Sequence, residues 1–557
     1  MTARVQTALE PLPDWTDEER PALPGSPSTP GHSAPMRLVY LAVGLLASAA
    51  AGLGNALVTA NLPQIQGELG LTPVEGAWLP AAYVMTNVSA NLILMKARQQ
   101  FGIRAFAEWG IVAFLLVTGV FLFVSGYEGA VLVRAVAGFA SAPLSTLAIF
   151  YVLQAFPKAK LGQGICIALG ISQIWTPVAW MLSSPLLDMG DWKTLYLFEL
   201  GLATCALGTI ISVKLPPGIR IQVFEAKDFL TFALLAPAMA IVGAVLAQGR
   251  TQWWTEQPWM GVALIVALIL FALVWLIEHH RTNPLVITRW LASRDALRFM
   301  IGAFLMRMVL SEQNFAAVGL LRQLGMGPDQ LQLFYLIMLL GIVAGTALSA
   351  LTFKPAALPL QVLGAIVLVI IGSLLDRDAT SLTRPHDMML SQFLIAAAGG
   401  LFMAPLLIMT VMKALGRGAD HIVTYAVLFS ATQALGGLAG PAVYGTFQQV
   451  REHEYSGQIT ANVVPSDPVV AQRLAIQGQI YAPVITDPVR RQAQGIGLLA
   501  QSATREAHVR AFNDVFTLNA IIASLFLLYA VALVAIAARR AKQNPHSAGG
   551  SAGAAAI

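Results

Sequence analysis

Fourteen long apolar segments, separated by shorter polar stretches, dominate the hydrophobic pattern of this chain. A helix needs roughly 20 residues to cross a hydrocarbon core about 30 Å thick. The segments lack the alternation of barrel strands, and lipid offers no water to bond exposed backbone groups, so helices are expected. The predicted spans are residues 38–60, 76–95, 107–125, 129–152, 162–184, 195–213, 229–248, 259–277, 297–320, 331–351, 359–375, 388–412, 421–446 and 514–537.

The amino-acid composition agrees with a chain that lies in lipid. Of its 557 residues, 57% are hydrophobic and only 11% are charged, whereas soluble domains carry about 25% charged residues. The mean hydropathy is +0.68. We therefore predict an all-α integral membrane protein with 14 transmembrane helices, and the lipid bilayer is its first partner.

Lysine and arginine are unevenly distributed among the loops. They concentrate in alternate loops, beginning with the segment before the first span, and are few in the short loops between these. Because positive residues mark cytoplasmic loops, both termini are predicted to be cytoplasmic. The formal net charge of +5 mostly reflects this bias, so no nucleic-acid partner is expected.

Motifs for soluble catalysis are missing from the sequence. It contains no phosphate-binding loop, nucleophile elbow or dinucleotide fingerprint, and its histidines lack metal-ligand spacing. The cysteines Cys166 and Cys205 lie within predicted spans and indicate packing rather than a disulfide. We therefore predict that the protein is no enzyme and needs no cofactor and no metal.

Two related pentapeptides divide the chain. "LGLTP" (69–73) follows the first span and "LGMGP" (324–328) follows the ninth, and repeated halves are typical of transporters that rock about a central site. The predicted domains are a disordered cytoplasmic N-terminal tail (1–36), an N-terminal six-helix bundle (37–213), a linker with an inserted helix pair (214–296), a C-terminal six-helix bundle (297–537) that includes a periplasmic loop (447–513), and a cytoplasmic C-terminal tail (538–557).

Five stretches share an order and spacing with one family of transporters. They are "NLPQIQGELGLTPVEGAWLPAAYVMTN" (61–87), "RAVAG" (134–138), "DWKTLYLFELGLA" (191–203), "EHHRTNPLV" (278–286) and "TQALGGLAG" (432–440). Together they resemble the fourteen-helix drug:proton antiporter family of the major facilitator superfamily, the EmrB/QacA type. The resemblance implies proton-coupled efflux of hydrophobic or amphipathic compounds, such as drugs or organic acids, across the bacterial inner membrane by alternating access.

The same resemblance assigns residues to helix packing and to gating. The implied helix-packing residues are Gly138, Pro177, Gly436, Gly437 and Gly440, and the implied cytoplasmic gating loop contains Lys96, Arg98, Gly102 and Arg104.

Two departures from the family pattern leave alternatives open. In the family, helix one carries an aspartate near the position of Gly54, and helix five has small residues where Trp175 and Trp180 stand here. The alternatives are a non-transporting sensor or scaffold on a decayed transporter fold, and an uptake transporter.

Four charged residues fall within predicted spans and are the candidates for proton coupling: Arg134, Glu199, Arg307 and Glu312. A charge at the bilayer centre costs about 2.5–3.5 kcal/mol, so such residues normally face the bundle interior. Arg134 either points inward or extends to the interface. If it points inward, the resemblance implies that it adjusts the proton affinity of a carboxylate. We prefer Glu312 to Glu199, because Glu199 is near a helix end and could be hydrated.

Other polar residues are candidates for the substrate cavity: Asn55, Tyr83, Asn87 and Ser311. Tyr83 and Asn87 lie one turn apart and can bond either a substrate or a neighbouring helix. Ser311 shares a face with Arg307, which lies about 140° from Glu312 around the helix. By resemblance, loop 447–513 would contact a HlyD-type periplasmic adaptor that works with an outer-membrane channel.

Overall fold

The computed structural model describes residues 14–543, apart from residues 17–18, 22–23, 125, 189–192, 282–283, 292, 416–419 and 465. Within this part the regular structure is helical, and the isolated bridge between Pro27 and Gly218 is the one β interaction found there. The all-α prediction is therefore confirmed.

The helices fall into three groups along the chain. The first group is α1 (Ala34–Ala60), α2 (Leu62–Leu69), α3 (Pro73–Phe101), α4 (Ile103–Phe121), α5 (Tyr127–Gln154), α6 (Leu161–Gln173), α7 (Trp175–Asp188) and α8 (Lys193–Ser212). The second is α9 (Ala226–Gln248), α10 (Pro258–His279) and α11 (Thr288–Leu291). The third is α12 (Arg294–Leu310), α13 (Val318–Gln323), α14 (Gln332–Leu351), α15 (Leu358–Asp376), α16 (Met389–Leu415), α17 (Asp420–Ala461), α18 (Pro468–Gln479) and α19 (Pro488–Gln543).

Eleven helices in the described part are long and apolar enough to cross a membrane. The three predicted spans outside this set lie in α3, in the run from α12 to α13, and in α17. The run from α12 to α13 is divided into pieces that are too short, whereas polar side chains lower the mean hydropathy of α3 and α17. The count of fourteen crossings therefore stays a prediction.

The helices pack into two bundles with an additional pair beside them. In the first, α5 contacts α1, α3 and α4; in the second, α16 contacts α14 and α15, while α19 contacts α15 and α17. The inserted helices α9 and α10 pack on each other, and α9 also packs along α3. The bundles meet where α6 and α7 contact α14.

Glycines allow the closest helix contacts. A Cβ on Gly138 of α5 would overlap the Tyr83 carbonyl oxygen of α3. A Cβ on Gly345 of α14 would overlap the Ala397 carbonyl of α16. Only residues without a side chain permit such backbone approach, so the packing role expected of Gly138 has a direct structural basis.

The fifth predicted span, 162–184, is not one continuous helix. It divides at Ile174 into α6 and α7. Pro177 has no backbone N–H to donate to the Gln173 carbonyl one turn earlier, which explains a helix end at this place. The sequence pattern gave no sign of the division because both pieces are equally apolar.

Part of the N-terminal tail is ordered, in contrast to the prediction for 1–36. Gly25 N donates to Ile219 O at 2.9 Å, and Ser28 N donates to Pro217 O at 3.0 Å. Pairing with another extended segment satisfies backbone groups without a hydrophobic core, and composition does not report such pairing. Residues 1–13 lie outside the described residues, as do 544–557 of the predicted C-terminal tail.

Candidate functional site

Arg134 points into the first bundle and is 1% exposed. Its Nη2 donates to Asn55 Oδ1 at 2.6 Å, and its Nη1 lies 3.5 Å from the Gly54 carbonyl oxygen. The guanidinium also stacks over the Tyr83 ring, 4.5 Å from the centroid. Arg134 therefore points inward and does not extend to the interface.

Glu199 of α8 reaches the same place. It is 5% exposed, and its carboxylate overlaps the position that a Cβ on Gly54 would occupy. Arg134 and Glu199 thus both reach the same glycine of α1, where opposite charges attract strongly in a low dielectric. Glu199, and not the preferred Glu312, is therefore the carboxylate near Arg134. Because Glu199 is buried, it is not hydrated at its helix end.

We name these five residues the N-terminal cluster: Gly54, Asn55, Tyr83, Arg134 and Glu199. It brings together the helix-one position that lacks the family's aspartate and a carboxylate from another helix. The side chain of an aspartate at position 54 would overlap the Glu199 carboxylate. The space left by the missing acid on α1 is therefore filled by an acid on α8.

Tyr83 and Asn87 bond across helices. Tyr83 Oη donates to Ser141 Oγ at 2.6 Å. Asn87 Nδ2 donates to the Gly138 carbonyl and to Ser141 Oγ, at 3.0 Å in both cases. These bonds hold α3 against α5 and fix the helix that carries Arg134, so both residues serve helix packing in this arrangement.

Arg307 and Glu312 face different neighbours. The Arg307 side chain packs on Gly436 and Gly437 of α17, with its Cβ 2.9 Å from a Cβ built on Gly436. It is half-buried, and none of the described carboxylates pairs with it. Glu312 is 0% exposed and turns the other way, into the second bundle. The two residues therefore form no ion pair.

Ser311 belongs to the packing between α12 and α17. Its hydroxyl donates to the Met308 carbonyl, and a Cβ on Gly440 would overlap Ser311 Oγ. Gly440 thus admits the serine, just as Gly436 and Gly437 admit Arg307. The glycine motif of α17 thus forms a notch for two polar side chains at the C-terminal end of α12.

Asp376 is a further buried acid, and the sequence pattern did not predict it. It is the last residue of α15, is 4% exposed, and accepts from Ser391 Oγ at 2.5 Å and from Gln392 Nε2 at 2.7 Å. It lies one residue beyond the predicted span 359–375. Ser373, one turn earlier on the same face of this largely apolar helix, is the available signal.

Lys96 of the predicted gating loop enters a buried ion-pair network. Its Nζ donates to the two carboxylate oxygens of Asp228 at 2.8 and 2.9 Å. Arg281 donates to Asp228 at 2.8 Å, to Glu278 at 2.6 Å and to Glu225 at 3.1 Å. Burial alone would lower the pKa of Arg281, but these three hydrogen bonds raise it above its usual value. The network joins α3 to the inserted helices.

The other predicted gating residues hold the same end of α3 and its exit turn. Arg98 is buried with its guanidinium 4.6 Å from the centre of the Phe150 ring. Gly102 has a φ of 85°, which favours glycine. Arg104 Nε donates to the Leu215 carbonyl at 2.8 Å. These contacts fasten the turn to the first bundle and to the linker that follows it.

The two tryptophans of α7, in the fifth predicted span, have separate roles. Trp175 Nε1 donates to Ser48 Oγ of α1 at 2.8 Å. Trp180 stacks on Tyr335 of the second bundle, with 5.2 Å between ring centroids and an interplanar angle of 9°, and the Arg322 guanidinium lies 4.9 Å from the Trp180 ring centroid. Where the family has small residues, this chain therefore joins its bundles through an aromatic stack.

Two helical bundles with buried charges and many apolar, membrane-length helices define an integral membrane transporter. The chain belongs to the Major Facilitator Superfamily, whose sequence profile matches residues 44–441. It is therefore a transporter rather than an enzyme, and the family expected from the motifs is confirmed.

Individual relatives agree with this assignment. The chain is 23% identical over 514 residues to the multidrug export protein EmrB of Escherichia coli strain K12, covering 87% of this chain and 93% of that protein. It is 26% identical to the uncharacterised transporter YebQ of the same strain, but over 34% of this chain and 42% of YebQ. Among solved structures, the nucleoside transporter NupG has a TM-score of 0.50 at 12% identity, covering 89% of this chain and 99% of NupG, a likeness of fold alone.

Proposed function

We propose that this protein is a secondary active exporter that uses the proton gradient to expel hydrophobic or amphipathic compounds by alternating access. Drugs and organic acids are the substrate classes that we infer. In this proposal the chain crosses the bacterial inner membrane fourteen times with both termini in the cytoplasm. The export activity named for EmrB, to which the chain is similar over most of its length, supports this direction of transport.

One observation carries the proposal: a buried carboxylate, Glu199, and a buried guanidinium, Arg134, both lie beside Gly54. Keeping two charges inside a membrane bundle costs free energy, so such residues mark ion or substrate pathways. A carboxylate is the group that can take up and release a proton there. The pair therefore supports proton coupling despite the missing aspartate on helix one.

The cluster offers a simple route from protonation to movement. Ionised Glu199 is attracted to Arg134 across a low dielectric. A proton on Glu199 removes that attraction and leaves Arg134 bonded to Asn55. Because the three charged or polar groups sit on α8, α5 and α1, protonation changes the relative free energy of different packings of these helices. A substrate that prefers one packing is then exchanged for the proton.

Arg307 supports an amphipathic substrate with an anionic group. It is a half-buried guanidinium in the glycine notch of α17, without a carboxylate partner among the described residues. An arginine binds carboxylates well because its planar fork forms two parallel hydrogen bonds. An organic anion that bonds Arg307 while its apolar part lies against the helices fits this arrangement.

Dye export tests the proposal. Cells that express the chain should accumulate less of an amphipathic dye than cells without it, and a proton uncoupler should abolish the difference. Inside-out vesicles should take up the dye when energised. Equal accumulation with and without the chain would favour the sensor or scaffold alternative, whereas higher accumulation in intact cells would indicate uptake.

The coupling residue is tested by Glu199→Gln with Glu128→Gln as its control. Glu128 is exposed in the first turn of α5, so the control removes one acid outside the cluster. Export should fall at least about 10-fold in Glu199→Gln, equivalent to about 1.4 kcal/mol, and should be unchanged in Glu128→Gln. Full export by Glu199→Gln, with normal dependence on the gradient, would remove Glu199 from the mechanism.

Contact with a periplasmic adaptor and an outer-membrane channel is the remaining part of the proposal. The segment 447–513 consists largely of helix, in which α18 packs on α19. Arg451 fixes the base of this segment by donating to Asp514 at 2.5 Å and to Tyr455 at 2.7 Å. Crosslinking from exposed Val469 or Ile476 in living cells should capture an adaptor of the HlyD type, and a lack of any adaptor in the crosslinked products would count against this contact.

A further inference from the structure

The second bundle contains a buried acidic site that is separate from the N-terminal cluster. Four residues form it, and we name them the C-terminal cluster: Glu312, Asp376, Ser391 and Gln392. Glu312 precedes a π-helical turn, Gln313–Ala317, Asp376 ends α15, and the other two lie on α16. Gln392 is 0% exposed and lies beside both acids, bonding Asp376 Oδ2 at 2.7 Å.

Several oxygens of this cluster lack a hydrogen-bond donor. They are the two carboxylate oxygens of Glu312 and Oε1 of Gln392, all of them buried. An ionised carboxylate that is buried without donors costs several kcal/mol. Asp376, by contrast, accepts two hydrogen bonds that stabilise a negative charge. The geometry therefore suits one negative charge, on Asp376, and one neutral acid, Glu312.

The described part of the chain supplies no positive charge that pairs with these two acids. From α17, Tyr444 faces the site, but its hydroxyl is directed to Asn519 Oδ1 of α19. Arg250 lies over the Phe315 ring, 5.6 Å from its centroid, rather than at a carboxylate. Among the described residues no basic side chain pairs with Glu312 or Asp376. Two carboxyl groups in one dry site cannot both ionise cheaply.

The hydrogen-bond donors favour a proton over a metal cation. Ser391 and Gln392 direct their hydrogens toward Asp376, whereas a hard cation needs oxygen ligands around it. Asp376 lies close to the protein surface, since Arg377, which follows it, has a 52% exposed side chain. Glu312 lies deeper, next to a π-helical turn, a rare element that is frequent at functional sites.

We propose that Glu312 and Asp376 form a second protonation site, in which a proton entering at Asp376 passes by Gln392 to Glu312. An O–H bond forms on Glu312 as the O–H bond on Asp376 breaks, and no electrons are transferred. Proton binding does not depend on the export proposal, but use of this proton as a second coupling ion rests on it.

Infrared difference spectroscopy of the purified protein in lipid nanodiscs tests the site. The spectrum should contain a carboxylic-acid C=O band from a buried acid that shifts in D₂O. The band should disappear in Glu312→Gln and change frequency in Asp376→Asn. It should persist in Glu199→Gln, which isolates the site from the N-terminal cluster. Asp378→Asn is the control, since Asp378 is 81% exposed, and it should leave the band unchanged.

Two outcomes would overturn the proposal. One is a band that survives in both Glu312→Gln and Asp376→Asn, and the other is a band that Na⁺ removes at constant pH, which would indicate a metal-cation site. Asp376→Asn also serves if Glu312→Gln fails to fold. If the band behaves as expected while the chain exports no dye, the site stands and the export proposal fails.

Discussion

The two polar clusters differ in the sign of the net charge that they carry once a proton has bound. The N-terminal cluster contains Arg134 and Glu199, so a proton changes it from neutral to positive. The C-terminal cluster contains Glu312 and Asp376 without a pairing base among the described residues, so the protonated cluster keeps one negative charge, on Asp376. Similar bundles can thus respond differently to one ion, because the counter-charge rather than the acid decides the response.

Removing the guanidinium should have the largest effect. Arg134→Met leaves Glu199 buried without a positive neighbour and Asn55 without its donor. Breaking a buried charge pair typically costs about 3–5 kcal/mol, so export should fall to background and the detergent-solubilised protein should melt earlier. Dye efflux, normalised to membrane-inserted protein, measures the first effect. Arg134→Met combined with Glu199→Gln should recover stability but not export, and failure to recover stability would contradict the pairing.

Moving the acid should show whether its position or its helix matters. Gly54→Asp combined with Glu199→Ala returns a carboxylate to α1 and clears the space that Glu199 fills. Export should recover at least in part relative to Glu199→Ala, because Arg134 again has an acid beside Gly54. Equal export by the double and single variants would mean that Glu199 acts from a place that α1 cannot supply.

Crowding the cluster should reduce export less. Gly54→Ala pushes a methyl group into the Glu199 carboxylate, and a displacement of about 1 Å at a reacting site can cost up to about 100-fold in rate. We expect a loss of about 10-fold, or about 1.4 kcal/mol. The matched control is Gly201→Ala on α8, where no atom lies within 4 Å of the added methyl. A similar loss in the two variants would contradict a specific role of the contact.

A smaller effect is expected from the ion-pair network between α3 and the inserted pair. Asp228 is 0% exposed and pairs with Lys96 and Arg281. Asp228→Asn leaves two buried cations undercompensated, at a cost on the order of 3 kcal/mol. The melting temperature in detergent should fall, while export at low temperature should change little. Arg377→Gln, which removes an exposed pair with Asp378, should leave the melting temperature unchanged, and a matching decrease there would contradict the prediction.

The sequence pattern was sufficient for the all-α class, and the cost of a buried charge favoured the inward direction of Arg134. Apolar length and the cost of a buried charge are local properties, so they can be read without knowing which helices are neighbours. The partner of Arg134 was not predictable in this way. Gly54 and Glu199 are far apart in the chain, and their overlap arises from the packing of α1 on α8.

The burial of Asp376 and the division of the fifth predicted span into α6 and α7 were not predictable from the sequence for other reasons. Asp376 lies at a helix end, where apolar patterning cannot separate a buried acid from a loop acid. The division depends on a hydrogen bond that Pro177 cannot donate, and this leaves no trace in hydropathy. The ordered part of the tail pairs with the linker through backbone atoms, on which side-chain composition has little influence.

One helix of the second bundle, α19, is much longer than a membrane crossing requires. α19 runs from Pro488 to Gln543, 56 residues, or about 84 Å at 1.5 Å per residue, so roughly 50 Å of it extends beyond a hydrocarbon core about 30 Å thick. A tilt of about 5° at the membrane would then displace the far end by about 4 Å. In the proposed exporter, a tilt of this size would therefore produce at the far end of α19 a displacement longer than a hydrogen bond, which a neighbouring protein could sense.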